Sequence, residues 1–354
     1  MTTFTRRSLL SGLTGLALGA CARAPEDSVE DPLAPYRTPY KHPRLVLAAT
    51  GTPGAFDEAA VDKPFVFRHD GRFLMTYVGF DGEGYQTGLA ESGDLLQWRR
   101  RGLILGRDPA DPVTRHNIAM DSILRENALH GPARLKKVDG RYLGVWNAYP
   151  LPGYEEGPAV IGLAWSDDLV TWERTAPILS PEDGADWERG GLYKPTIMEH
   201  DGTYYLYYNA KNAAVPWNEQ IGVATSRDLV HWTRHAGNPI VRNGPAGAPD
   251  DRFAANPVVL RHGDRWAMYY FGLSTDRAAR ELLALGDSPL RFEKAGEPVI
   301  DVGPPGSVDE TYAHKPSLIH HDGVLYHFYC AVSGKWPNET RGIAVARSAP
   351  WQAG

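Results

Sequence analysis

Lys194-Pro195-Thr196-Ile197-Met198-Glu199-His200-Asp201-Gly202, followed by Thr203-Tyr204-Tyr205-Leu206-Tyr207-Tyr208, is the stretch on which the fold turns. A short apolar run meets Asp-Gly, the strongest two-residue hairpin signal, and an aromatic-rich run returns from it. Four other segments align with it without gaps. They are Lys63-Pro64 to Asp70-Gly71, Pro132-Ala133 to Asp139-Gly140, Asn256-Pro257 to Gly263-Asp264, and Lys315-Pro316 to Asp322-Gly323. The second position recurs at 64, 133, 195, 257 and 316.

A third run follows each hairpin, as in Ile161-Gly162-Leu163-Ala164 and Ile221-Gly222-Val223-Ala224. It leads into a Ser-x-Asp-Leu-x-x-Trp turn at Ser92–Trp98, Ser166–Trp172 and Ser226–Trp232, degraded to Pro289-Leu290 and Phe292 in the fourth repeat. A fourth run comes next. Four antiparallel strands per repeat, five times over, predict an all-β, five-bladed β-propeller. The last repeat stops after three strands. Tyr40-Lys41-His42-Pro43-Arg44-Leu45-Val46-Leu47 matches Trp98–Leu105 position for position, so an N-terminal strand is expected to close the ring. Closure removes two sheet edges.

The chain ahead of this strand reads differently. Arg6-Arg7-Ser8-Leu9-Leu10 opens a short, weakly apolar stretch that resembles a twin-arginine export signal. Leu18-Gly19-Ala20-Cys21 resembles a lipoprotein cleavage box, with Cys21 the lipidated residue. Residues 1–21 are therefore read as an export signal, 22–39 as a tether rich in Ala, Pro and acids, and 40–354 as the propeller. The expected location is periplasm or cell envelope, with membrane attachment only through the lipid. Cys330 is the other cysteine. It lies in an apolar strand pattern and reads as a buried thiol, so packing rather than a disulfide must hold the fold.

Charge excludes one class of partner. Lys and Arg number 37 against 43 Asp and Glu, a formal charge of −6 with no long run of either sign, which is not a nucleic-acid footprint. There is no His-Glu-x-x-His, no Gly-x-Ser-x-Gly, and no dinucleotide glycine fingerprint between strand and helix.

In a propeller the first strand of each blade lines the channel, and the residues before it sit at one mouth. Chemistry gathers at that phase in every repeat. Blade 1 has Asp62-Lys63. Blade 2 has Asp121, Arg125, Glu126, His130 and Arg134. Blade 3 has Asp186-Trp187-Glu188-Arg189 and Tyr193-Lys194. Blade 4 has Asp250-Asp251-Arg252 and Asn256, and blade 5 has Asp309-Glu310-Thr311-Tyr312-Ala313-His314-Lys315. Lys63, Lys194 and Lys315 share one repeat position, so either neighbouring acids pair with them or the ligand is anionic. Trp187, Tyr193, Tyr154, Trp217 and Trp336 are candidate sugar platforms, and Arg134, Asn256 and Tyr312 candidate substrate contacts.

The blade pattern and its Ser-x-Asp-Leu-x-x-Trp turns resemble the five-bladed propeller glycosidases of glycoside hydrolase families 32, 43, 117 and 130, over residues 40–351. The resemblance implies a carboxylate at the start of blade 1 and a Glu before or on the inner strand of blade 3, positions best met by Asp62 and Glu188. It departs in blade 1, where those families place Asp directly before Pro and this chain has Lys63. Glycoside cleavage needs two carboxyl groups, one ionised and one protonated. Asp62 is the expected base and Glu188 the expected acid, with Asp251 and Glu310 as substitutes. The resemblance further implies inversion of configuration and gives His314 as acid or as ligand of a central calcium. No cofactor is otherwise required. The readings that follow are a glycosidase acting on an exported poly- or oligosaccharide, a carbohydrate-binding propeller without catalysis, and a glycoside phosphorylase.

Overall fold

The computed structural model describes residues 31–153, 155–215, 217–335 and 338–352. The expected export signal, Cys21, Tyr154 and Trp336 lie outside them. Contacts divide the chain into units Met1–Pro35 and Tyr36–Gly354. Of the first, the described residues form a turn in which Ala34 N donates to Asp31 O at 2.9 Å. The second unit is all-β, and it begins inside the segment read as tether. Tyr36 and Thr38 are buried, with Tyr269 Oη donating to Tyr36 O at 3.0 Å.

Its strands fall into antiparallel groups. Two short strands come first, β1 (Tyr40–Lys41) and β2 (Leu47–Ala48). Group one is β3 (Ala60–His69), β4 (Arg72–Phe80), β5 (Tyr85–Ser92) and β6 (Trp98–Leu105). Group two is β7 (Ala119–Ile123), β8 (Lys137–Val138), β9 (Arg141–Ala148), β10 (Val160–Ser166) and β11 (Glu173–Leu179). Group three is β12 (Leu192–His200), β13 (Thr203–Lys211), β14 (Glu219–Ser226) and β15 (Thr233–Arg234). Group four is β16 (Phe253–His262), β17 (Arg265–Leu273), β18 (Ala279–Ser288) and β19 (Arg291–Lys294), and group five is β20 (Tyr312–His321), β21 (Val324–Ser333) and β22 (Thr340–Arg347). β1 and β2 both pair with β22, in the registers Tyr40↔Arg347 and Leu47↔Ile343. No sheet closes on itself through hydrogen bonds among the described residues.

Local chemistry explains the repeats. Asp70-Gly71, Asp139-Gly140, Asp201-Gly202 and Asp322-Gly323 all hold positive φ at both residues, as a type I′ hairpin requires. In each Ser-x-Asp-Leu-x-x-Trp turn the serine hydroxyl accepts the Asp and Leu amides, and the Asp carboxylate accepts the next two. Trp98 Nε1 then donates to Leu95 O at 3.2 Å, and the second and third groups repeat the arrangement. The fourth keeps only Leu290 N donating to Ser288 Oγ.

Group two departs from the sequence reading. Its inner strand is β7, far upstream of Pro132, and only β8 comes from the segment aligned there. Residues between them leave the sheet. Leu129 N donates to Arg261 O in group four, Arg68 N to Ala133 O, and the Arg125 guanidinium to Val66 O and Leu318 O. The His130 ring packs on His262 and His320. Arg125, His130 and Arg134 therefore join the ends of β3, β16 and β20 that carry the hairpins.

The apolar core lies between consecutive groups. Leu105 and Met120 join groups one and two, Leu163 and Leu206 groups two and three, and Val223 and Met268 groups three and four. Val61 and Met75 of group one pack with Ile319, Phe328 and Ile343 of group five. Within four groups a buried acid accepts a tyrosine hydroxyl from twenty residues further on and an ion pair from a cation. The sets are Asp57, Tyr77 and Arg100; Glu188, Tyr208 and Arg234; Asp250, Tyr270 and Lys294; and Asp309, Tyr329 and Lys41. In the last set β1 supplies the cation that no strand of group five provides. Group two puts Trp146 at the tyrosine place, its Nε1 donating to Leu163 O at 2.7 Å.

Glu281 is fully buried, and neither carboxyl oxygen has a hydrogen-bond partner. Burial holds its carboxyl well above the usual range. A proton bound more tightly in the folded state stabilises fully below the unfolded pKa of about 4.3, and that stability is lost as pH rises. Glu281→Gln should unfold like wild type at about pH 4 and be the more stable protein at about pH 8, compared by thermal melts. Tyr270→Phe leaves buried Asp250 short of a donor and should cost about 1–3 kcal/mol in urea unfolding.

Candidate functional site

A bulge interrupts each inner strand at one repeat position. The pairing register shifts between Asp62 and Phe65, Met120 and Ser122, Tyr193 and Thr196, Ala255 and Val258, and His314 and Ser317. Lys63, Lys194, Asn256 and Lys315 take left-handed φ between 44° and 66° there, each directly before proline. Asp121 occupies this place in group two, where the sequence alignment had put Pro132. Bulges re-aim side chains. These bring Lys63, Asp121, Lys194 and Lys315 around one cavity of about 20 Å³, lined also by Asp62, Asn147, Tyr149 and Glu155.

The lysines meet acids. Lys63 Nζ lies 3.2 Å from Asp121 Oδ1, and Lys194 Nζ 3.2 Å from Glu155 Oε1. Lys315 Nζ donates to Asp62 Oδ2 and lies 3.8 Å from Glu155 Oε1. Arg341 Nη1 reaches Asp62 Oδ2 at 3.1 Å, and its Nη2 reaches Glu339 Oε1 at 2.7 Å. Burial works to raise the Asp62 carboxyl, but Lys315 and Arg341 together outweigh it and hold it well below the usual range. Asp121 is pushed up to about 6 by burial, against the pull of Lys63.

A larger pocket of about 720 Å³ opens beside this cluster. Lys194, Lys315, His314, Arg341 and Glu219 line it yet are nearly inaccessible, so they form its floor. Trp217, 56% exposed, stands at its rim against Phe253, and Phe271 and Tyr312 continue an aromatic wall. Glu155, Glu156, Glu219 and Glu339 bring carboxyl groups to the pocket, and Glu155 and Glu219 sit in opposite environments. Burial tends to raise Glu155, but Lys194 and then Lys315 bring it down to about 2. Glu219 is 1% exposed, and burial raises its carboxyl despite Lys194 and Lys211; the Glu155 charge adds to the rise. Asn209 Nδ2 donates to Glu219 Oε2 at 2.6 Å.

The residues singled out by sequence divide between this site and elsewhere. Asp62, Lys63, Lys194 and Lys315 are together at the cluster, and His314 and Tyr312 line the pocket. Tyr193 is fully buried beneath it, its hydroxyl donating to Gly190 O and Gly157 O, so it supports rather than faces a sugar. Asn256 is buried at its bulge and lines neither cavity. Glu188 is the acid of the Tyr208–Arg234 set, and Trp187 stacks on Tyr208 with centroids 6.2 Å apart. Asp251 accepts amides of Gly247 and Thr275, and Glu310 those of Gly306 and Gly334, as ordinary loop acids. Arg134 is exposed near Arg68 and His69, by the hairpin ends. Sequence reasoning passed over Glu155, Glu219, Glu339 and Arg341. Glu219 and Glu339 hold the same place at the start of the third strand, two residues before Ile221-Gly222 and Arg341-Gly342, and that shared phase was the available signal.

A central calcium does not fit. Asp62, His314 and Cys330 offer ligand atoms within 4.8 Å of one another. Yet Asp62 is already met by Lys315 and Arg341, and Arg341 Nη1 lies 3.5 Å from His314 Nε2. His314 Nδ1 pairs with Cys330 O at 3.0 Å, and burial with the Lys315 charge drives the imidazole down to about 3, so it stays neutral. Two fixed cations stand where a divalent ion would repel them.

Comparison with known proteins finds sugar-active relatives of this chain. Residues 155–227, which contain Glu155, Lys194, Lys211 and Glu219, match the family model of glycosyl hydrolases family 43. A 1,2-beta-oligomannan phosphorylase of Thermoanaerobacter sp. (strain X514) is 29% identical over 155 residues, 42% of this chain and 43% of that protein. The chain thus spans less than half of that relative. The solved structure of a glycoside hydrolase superposes with a TM-score of 0.75 at 28% identity, covering 89% of this chain and 93% of the other. That of a BT0996 RGII complex gives 0.74 at 29%, covering 89% and 92%. The chain is similar to the propeller glycosidases, as its repeat implied. Since side-chain cations occupy the centre, an excess of calcium or of chelator should leave its melting temperature unchanged in differential scanning calorimetry.

Proposed function

We propose that this chain is a glycoside hydrolase that removes a terminal sugar from a poly- or oligosaccharide, with Glu219 as general acid and Glu155 as its ionised partner. One observation carries the reading: among the carboxyl groups that line one pocket, the environments of Glu155 and Glu219 push their proton affinities apart. That is the division of labour glycoside cleavage needs. Glu219 keeps its proton for the departing oxygen. Glu155, between Lys194 and Lys315, stays anionic to activate water or meet the anomeric carbon. The floor position of Glu219 favours a chain end, because the bond it protonates must lie at the bottom of the pocket.

We read the scaffold as a five-bladed propeller whose ring is closed by β1 and β2. Support comes from their pairing with β22, from Lys41 completing the Asp309 set, and from Val66 N donating to Ser317 Oγ at 2.9 Å between the first and fifth groups. Export and lipid attachment at Cys21 are proposed from the sequence alone. Phosphorolysis is disfavoured because Lys63, Lys194, Lys315 and Arg341 are each matched to a carboxylate rather than grouped for a phosphate dianion. A binding role without cleavage leaves the separated proton affinities of Glu155 and Glu219 unused.

Glu219→Gln and Glu155→Gln should each lower kcat/KM by about 100- to 10,000-fold without loss of folding. The Glu219 variant should recover on aryl glycosides whose phenol leaves without a proton, and Glu155→Gln should not. Wild-type activity should fall as pH rises through the raised pKa of Glu219 and be independent of added phosphate. The first-formed anomer, followed by NMR, tests the inversion that the resemblance implies. Binding of glycans without release of a sugar, or activity that needs phosphate, refutes the assignment.

A further inference from the structure

Glu219 and Lys211 face each other across β13 and β14 as direct register partners, and both line the pocket. Opposed residues on such a pair hold their Cβ atoms about 4.5–5.5 Å apart. Lys211 is fixed from below. Its Nζ lies 4.4 Å over the Tyr193 ring, 5.9 Å from that of Tyr149, and donates to the Glu155 backbone O at 3.4 Å. It therefore stands beside both carboxyl groups of the proposed reaction. Yet it has no ion pair with a carboxylate among the described residues, whereas Lys63, Lys194, Lys315 and Arg341 each have one.

The charges can be matched one against another. Asp121 answers Lys63, Glu155 answers Lys194, Asp62 answers Lys315, and Glu339 answers Arg341. Once Glu219 holds its proton, Lys211 is the lining lysine with no carboxylate in contact among the described residues, the exposed Glu156 at the pocket wall forming no ion pair with it. An unmatched ammonium in a confined, poorly hydrated pocket attracts an anion. A second cation extends the same bias outward. Arg277 stacks 5.0 Å over the Trp217 ring at the rim, and it too lacks a carboxylate among the described residues.

We propose that Lys211 recognises a single negative charge on the substrate, a carboxylate or a sulfate ester on one of the two sugars that flank the cleaved bond. The inference rests on the pocket being the hydrolytic site. It narrows the substrate class to acidic glycans and makes Lys211 a specificity-determining residue.

The test is binding, which needs no turnover and so is separable from the hydrolase assignment. Matched probes are glucuronate with glucose, galacturonate with galactose, and glucose 6-sulfate with glucose, titrated calorimetrically into the full chain. At least one acid should bind ten-fold or more tightly than its neutral counterpart. Lys211→Met should abolish that preference, and Lys211→Arg should keep it. A uronate preference identifies the carboxylate, and a sulfate preference the ester. Neutral sugars binding as well as every acidic one, or a preference that survives Lys211→Met, overturns the proposal. Catalytic loss in Glu219→Gln with no acidic preference in wild type would leave the hydrolase assignment standing and remove this one.

Discussion

Charge matching in a dry interior is the constraint on which the site depends. Removing an ammonium or a carboxylate from water costs several kcal/mol, returned only if opposite charges meet in good geometry. Here Lys63, Lys194, Lys315, Asp62 and Asp121 are almost wholly buried within a few ångströms of one another. Each can be there only because the others are. The arrangement needs side chains from four strand groups to arrive together, and the left-handed bulge before proline is what aims them. A regular strand would send alternate residues to opposite faces; the bulge lets Asp62 and Lys63, adjacent in the chain, both serve the interior.

Matched charge also supports the molecule further out. The sets built on Asp57, Glu188, Asp250 and Asp309 pin the loop that enters a group to its second strand and to its outer cation. They hold the framework while the central ions hold the chemistry. The two uses look alike from the chain, since the framework acids lie just before the inner strand and Asp62 and Asp121 lie on it. Geometry separates them: the framework acids accept a tyrosine hydroxyl, and Asp62 and Asp121 meet the buried lysines.

This explains how far the sequence could be read. The hairpins were legible because Asp-Gly and Ser-x-Asp-Leu-x-x-Trp encode backbone angles and local hydrogen bonds that need no tertiary partner. The joining of Tyr40–Leu47 to the last strands was legible from its likeness to Trp98–Leu105. The inner strand of group two was misplaced because Pro132–Gly140 keeps the local pattern, whereas Ala119–Ile123 has the bulge without the proline. Lys63, Lys194 and Lys315 were rightly gathered by their common phase, and pairing with acids was the right alternative for them. Glu188 shares that phase yet meets Tyr208 and Arg234, because phase fixes a position along a strand and not the face it serves. Glu155 and Glu219 escaped notice since they come from the loop before the third strand and from that strand's start. The lysines that act on Glu155, Lys194 and Lys315, lie far away in the chain, and only folding reveals them.

The pairing of β1 and β2 with β22 carries a consequence for how the chain is made. Tyr40 can find Arg347 only after every strand between them has been synthesised, so a contact this distant in sequence becomes available late. Until then the fifth group lacks both an outer strand and the Lys41 charge that answers Asp309. Contacts of such separation slow folding, because the entropy of closing a long loop is lost before any bond is gained. An incomplete nascent chain would leave β1 and β2 without their partner strand, and pairing with β22 covers that edge.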